Sequence, residues 1–153
     1  MGSLWGLIAA FVFQLPVMNG EPGEIYDSLK KPNQVRVIEA YFNNCPYCHD
    51  NAPQVDALAE MFHVEQRVEV LDVGVDRKQS DYDAWIKKHR PNHLVLKDDG
   101  RKLIGYLGTK SYPSTYVMDC EGIVTYRTSG VWSSGTKKKI VEAVAEALKK
   151  ECE

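Results

Sequence analysis

The stretch Val35-Arg36-Val37-Ile38-Glu39-Ala40-Tyr41-Phe42, followed by Asn43-Asn44 and then Cys45-Pro46-Tyr47-Cys48-His49, decides how this chain folds. Its first eight residues are apolar at nearly every position. That is the pattern of a strand covered on both faces, and such strands lie centrally in α/β sheets. After Cys45 the period changes: Val55, Leu58, Ala59 and Phe62 recur at three, four and seven residues, which marks one buried helical face. Pro46 is a favoured first-turn residue, so a helix is expected over residues 46–63, with Pro53 inside it as a kink. The two cysteines therefore stand where a buried strand turns into a helix.

That position carries chemistry. At a helix N-terminus the free backbone N–H groups and the positive end of the dipole stabilise an anion, so Cys45 is expected to have a lowered pKa and to attack disulfides as its thiolate. Cys48 follows about one turn later, placed to resolve a mixed disulfide on Cys45. A pair of buried structural cysteines is the alternative. Glu39 loses hydration on a doubly covered strand, which raises its pKa unless it is paired and suits a proton acceptor for Cys48. The alternative for Glu39 is a place at a strand edge beside a lysine. His49, in the first turn, either tunes Cys45 or is solvated. Tyr47 and Tyr112 offer an aromatic rim facing a substrate, whereas Trp85 shares a helical face with Tyr82 and Ile86 and is expected in the core.

Outward from the motif, residues 13–18 read as a short strand, and Asn19-Gly20 with Pro22-Gly23 supplies turns before a second short strand over 24–26, an N-terminal hairpin. Residues 68–75 are a β-branched run. The next helix is expected to open at Ser80, with Asp83 three residues on, and to stop at Pro91. Residues 115–119 and 123–128 flank the turn Cys120-Glu121-Gly122, and Ile140, Val144 and Leu148 stripe a last helix over about 137–150. This order gives an α/β fold, a central mixed sheet flanked by helices with an antiparallel edge and an N-terminal β-hairpin.

At 153 residues, 44% hydrophobic and 26% charged, the chain has the size and balance of one domain, expected over residues 13–153 and as a monomer. Residues 1–12 fit a signal remnant, a tag or a structured N-terminal extension; the apolar run over 4–13 is too short to span a bilayer. A net charge of −2 argues against nucleic acid as a partner. Four cysteines with one close pair do not make a four-thiolate zinc site, and Pro91 interrupts His89 and His93, so no metal and no dissociable cofactor are expected. Cys120 and Cys152 are expected to form a structural disulfide. The strand from Cys120 runs out about 20 Å and the last helix returns a similar length, while Cys152 continues the Ile140, Val144, Leu148 stripe. Two unrelated free thiols are the alternative.

Taken together, these motifs resemble the thioredoxin superfamily. Glu39 stands six positions before the first cysteine, where that family carries its buried acid. Pro53 stands eight after it, where the family's helix kinks, and Pro113 in Ser111-Tyr112-Pro113-Ser114-Thr115 matches its cis-proline. The hairpin and the block from Tyr112 to Val124 are similar to the exported TlpA-like or ResA-like branch. The resemblance implies a thiol-disulfide oxidoreductase that exchanges disulfides with protein thiols or disulfides as substrate, reductase favoured over oxidase. It implies Cys45, Cys48 and Glu39 in catalysis and Pro46, Tyr47, Tyr112 and Pro113 at the docking strip. It also implies an exported, periplasmic or extracytoplasmic location with a membrane redox partner. Two other relatives of the fold set alternatives: a copper-binding chaperone, disfavoured by two rather than three residues between the cysteines, and a glutathione-dependent glutaredoxin-like enzyme, which rests on Pro46-Tyr47.

Overall fold

The structure, a computed structural model, describes residues 11–152. Along the chain it forms β1 (Gln14–Pro16), β2 (Ile25–Asp27), β3 (Val35–Tyr41), α1 (Pro46–Met61), β4 (Val68–Gly74) and α2 (Gln79–His89). Then follow β5 (Leu94–Lys97), α3 (Lys102–Tyr106), β6 (Ser114–Met118), β7 (Val124–Ser129) and α4 (Ser134–Leu148). The main sheet has the order β5-β4-β3-β6-β7. β3, β4 and β5 run parallel, and β6 and β7 pair antiparallel to form the other edge. This is the thioredoxin-like α/β architecture, with β1 and β2 as a separate antiparallel hairpin.

β3 is central and every residue of it is buried, as its unbroken apolar run requires. Its side chains divide between two cores. Ile38 and Ala40 pack with Leu15, Tyr26, Leu103 and Tyr116 on one face, and Val35 and Val37 pack with Val55, Leu58, Ile140 and Val144 on the other. Strand side chains alternate, so Glu39 and Tyr41 share the second face, under α1. Each such buried aliphatic side chain contributes roughly 1.5–3 kcal/mol, which is what presses α1 and α4 onto the sheet.

Several expectations shift. β5 and α3 were not foreseen in the sequence: four and five residues carry too little periodicity to stand out, and β5 exists because β4 supplies its ladder. The free side of β5 is covered by the hairpin, where Val17 bridges Leu96 and Met18 N donates to Val95 O at 2.7 Å. Helix α2 opens after Lys78 with no side-chain cap. The expected Ser80 cap is not formed, and Asp83 instead accepts from the Gln79 side chain at 3.0 Å. Helix α4 begins at Ser134, three residues before expected, because Ser133 Oγ accepts from Thr136 N at 3.1 Å. The alternatives for residues 1–12 fall mainly on residues 1–10, outside the described residues; Phe11 stacks on Tyr106 with ring centroids 4.0 Å apart.

The sulfurs of Cys120 and Cys152 are in bonding contact, with Cα atoms 5.8 Å apart. Arg67 holds the same end of the chain by donating to the carbonyls of Leu148 at 2.9 Å and Lys150 at 2.6 Å. Among the described residues no helix is long and apolar enough to cross a membrane.

Gly74 ends β4 beneath two fully buried rings, and a methyl group there would stand 2.7 Å from Tyr82 Cε1 and 3.0 Å from Tyr41 Cζ. Gly74→Ala is therefore expected to lower stability by about 1–3 kcal/mol through overpacking. A urea midpoint equal to that of the parent protein would show that the two rings yield without cost.

Candidate active site

Three residues separate β3 from Cys45, the N-cap of α1, and Pro46 follows in the first turn. Cys45 Sγ accepts from Cys48 N at 3.2 Å, so the sulfur itself occupies the place of a capping oxygen. Cys45 and Cys48 are in bonding contact, their Cα atoms 5.2 Å apart, and both are buried. Once this bond is reduced, the same N–H and the helix dipole face the Cys45 sulfur and favour its thiolate.

Glu39 is 3% exposed, in the middle strand of the sheet and on the face that α1 covers. The alternative of a sheet-edge glutamate beside a lysine does not hold, because β3 is central and Glu39 forms no ion pair among the described residues. Its carboxylate accepts from Asn51 Nδ2 at 2.9 Å and from Thr115 Oγ1 at 3.0 Å. Asn51 Oδ1 in turn accepts from Trp132 N at 2.9 Å, and Trp132 Nε1 donates to Thr115 Oγ1 at 2.8 Å. Asn51 stands three residues after Cys48 on α1, so Glu39 meets the helix one turn along from the resolving cysteine. Burial pushes the Glu39 carboxyl well above the usual range and the nearby Asp72 charge adds to this, against the bonds from Thr115 and Asn51.

His49 is half-buried, and both of its ring nitrogens are engaged. Its Nε2 lies 2.6 Å from Asn43 O, its Nδ1 lies 2.6 Å from His89 Nε2, and its ring rests on Trp85 with centroids 4.7 Å apart. A carbonyl only accepts, so Nε2 of His49 donates, and a neutral ring then accepts at Nδ1 from His89. Burial, with the neighbouring His49 and Lys88, lowers the His89 pKa. Trp85 is in the core, stacked on Tyr41 at 4.1 Å. Of the two tyrosines expected at the rim, Tyr47 is 66% exposed. Tyr112 is half-buried, edge-on to Phe42 at 5.4 Å, and its hydroxyl is buried without a partner among the described residues. The Tyr112–Pro113 peptide is cis, and Pro113 is buried.

Asn51, Thr115 and Trp132 were not legible as site residues. The one available signal was their need for a partner once Glu39 is buried. Asp72 did carry a signal, as an acid within the apolar run over residues 68–75.

A redox-capable cysteine pair opening the helix that follows the central strand of such a sheet defines a thioredoxin-fold protein. The sequence pattern of the AhpC/TSA family matches residues 9–127, and the chain belongs to that family. Among curated proteins it is similar to the thiol:disulfide interchange protein DsbE of Vibrio cholerae, 23% identical over 111 residues, covering 72% of this chain and 58% of that protein. The chain spans 45–58% of the length of the curated relatives it matches. Among solved structures it shares its fold with a thiol:disulfide interchange protein of the thioredoxin family from Chlorobium tepidum, with TM-score 0.74 and 16% identity over 92% of this chain and 95% of that one. It likewise shares its fold with the exposed lipoprotein thioredoxin Etrx1 of Streptococcus pneumoniae, with TM-score 0.74 and 22% identity over 89% of this chain and 99% of that one.

Because the folded pKa of Glu39 is raised, the stability that its protonated form confers is complete below the unfolded value of about 4.3 and is lost as pH rises through the folded value. Glu39→Gln removes this dependence. In oxidised protein its stability relative to the parent is therefore expected to climb above about pH 4, by up to about 1.4 kcal/mol per pH unit, on top of a constant offset from the altered bonds. Urea titrations across pH measure this, and a difference that stays flat from pH 4 to 8 would contradict a raised Glu39.

Proposed function

We propose that this protein is an exported thiol-disulfide oxidoreductase that reduces disulfides in protein substrates through Cys45-Pro46-Tyr47-Cys48. One observation carries the reading: the Cys45 sulfur caps α1 while a buried carboxylate stands one turn away along the same helix face. The first feature makes a nucleophile and the second a base, and thiol exchange with resolution needs both. The printed names of the relatives, thiol:disulfide interchange proteins, support the same reaction class.

In the reducing direction the Cys45 thiolate attacks one sulfur of the substrate disulfide. A Cys45–substrate bond forms, the substrate S–S bond breaks, and the departing sulfur takes a proton from solvent. Cys48 then gives its proton to Glu39 and attacks Cys45 Sγ; the Cys45–Cys48 bond forms, the Cys45–substrate bond breaks, and the released sulfur takes a proton from solvent, so that the substrate leaves as a dithiol. Two electrons pass from the cysteine pair to the substrate, so each cycle needs a dithiol donor, for which a membrane redox partner is the natural candidate. The docking strip in this reading is exposed Tyr47 with Pro46 and cis-Pro113, together with half-buried Tyr112, which packs against the cluster that holds Cys45 and Cys48. The Cys120–Cys152 bond is a structural clamp on the C-terminal segment, suited to an oxidising compartment.

Cys45→Ser is expected to abolish insulin reduction in dithiothreitol. Cys48→Ser should instead accumulate dithiothreitol-sensitive adducts with substrate, because attack survives and resolution does not. Equal residual turnover in the two variants would sink the assignment of roles. A reduction potential near about −270 mV supports the reducing direction, whereas one near about −120 mV would reverse it.

The paired change Cys120→Ser with Cys152→Ser opens a bond between residues separated by 32 positions, which is expected to cost about 3–4 kcal/mol while leaving insulin reduction intact. Lost turnover at unchanged stability would mean that this pair takes part in exchange.

A further inference from the structure

A second acid lies beside Glu39, and the exchange steps do not use it. Asp72 on β4 is the register partner of Glu39 on β3, so the two carboxylates leave adjacent parallel strands on the same face. Asp72 is 4% exposed. Two sealed carboxylates side by side cannot both ionise without a counter-charge. That charge is His93, whose side chain is 5% exposed and whose Nε2 lies 2.9 Å from Asp72 Oδ2, an ion-pair contact outside hydrogen-bond geometry. Its Nδ1 lies 3.1 Å from Asp56 Oδ1 and 3.0 Å from Asn92 Oδ1. The segment before β5 is held for this purpose, because the His93 carbonyl accepts from Asn19 Nδ2 of the hairpin at 2.8 Å. Asp56, on α1, is 29% exposed and ends the series at the surface.

Burial alone would strip His93 of its proton, but Asp72 and the bond and charge of Asp56 outweigh it and push the imidazole up to about 10. Other ionisable groups surround the series. Burial and Asp72 raise the pKa of the buried Tyr41 hydroxyl on β3, and His89 on α2 feels Asp72 and Asp56 weakly. Glu60 on α1, His63 just after it, Glu69 on β4 and Lys31 line the cavity that His93 shares, and Asn92 Nδ2 donates to Glu60 Oε2 at 3.5 Å. Asn51 on α1, Thr115 on β6 and Trp132 before α4 face Glu39 without charge. Among the described residues no lysine or arginine pairs with Glu39 or Asp72.

We propose that His93 and Asp72 are positioning residues for disulfide exchange: the imidazolium, gripped from outside by Asp56, cancels the charge of Asp72, and this pair sets the pH at which Glu39 accepts the proton of Cys48. The proposal rests on the reading of Glu39 as the proton acceptor. Its signs are opposed. His93→Gln leaves Asp72 negative beside Glu39 and makes Glu39 harder to ionise. Asp72→Asn leaves the imidazolium and makes Glu39 easier to ionise. The double variant removes both effects and should return toward the parent, which loosened packing cannot imitate.

The test follows the Glu39 side-chain carbon by NMR titration of the oxidised proteins, beside the pH profile of mixed-disulfide resolution in the reducing cycle. His93→Gln is expected to move both inflections up, and Asp72→Asn to move both down, by about one unit or more, with resolution in His93→Gln falling about tenfold at neutral pH and recovering in alkali. Shifts of one sign, or none, in the carbon titration overturn the proposal while leaving the exchange reaction standing. Carbon shifts as stated with unmoved exchange profiles overturn it together with the role of Glu39. The parent protein gives a check that needs no variant: ring-nitrogen shifts must show His93 doubly protonated at pH 7, and a neutral ring there overturns the proposal.

Discussion

Burying the Glu39 carboxylate in the middle of a sheet closed on both faces obliges four parts of the chain to meet at one point. A buried acid without donors would cost several kcal/mol, so the fold must bring polar groups to it. α1 supplies Asn51, β6 supplies Thr115, and the segment before α4 supplies Trp132, whose backbone and indole N–H groups fill the acceptors that the first two leave open. The result is a closed ring of hydrogen bonds. It fixes the register of α1 on the sheet, and with it the place of Cys45 and Cys48 relative to Glu39. Apolar packing of Val55 and Leu58 presses the helix down but leaves it free to slide; the polar ring stops the sliding.

What could be read in the sequence is what depends on neighbours in the sequence. β3 and α1 were legible because an unbroken apolar run gives way to a helical period at one place, and the cysteine chemistry follows from that junction alone. Glu39 was legible as an acid where no acid belongs. β5 was not, since Leu94–Lys97 becomes a strand through β4 and the hairpin, which lie far away in the chain. Asn51, Thr115 and Trp132 look like ordinary helix, strand and loop residues until the sheet closes. The Ser80 cap failed for a local reason: Gln79 and Asp83 bond across the first turn, and the helix starts one residue early. Both Cys120 and Cys152 could be brought together by lengths alone, because a strand and a helix that run out and back by similar distances return to the same end of the sheet.

Two histidines four positions apart show how far environment overrides residue type. His89, on α2, is half-buried against Trp85 and shares a hydrogen bond with His49, so burial and the neighbouring ring push its proton off. His93 is buried more deeply, yet two aspartates hold its proton on. Pro91 lies between them and ends the helix, which turns the second ring away from the first and toward β4. Near neutral pH the His89 ring beside the first turn of α1 therefore tends to be neutral, and the charge stands lower down, beside the carboxylates. This division matters for the cysteines. A cation at the helix N-terminus would oppose the dipole and cost helix stability, whereas stabilisation of the Cys45 thiolate through the cap and dipole alone avoids that conflict. The positive charge is placed instead where two acids would otherwise share a sealed space, and there it makes ionisation of Glu39 compatible with a folded sheet.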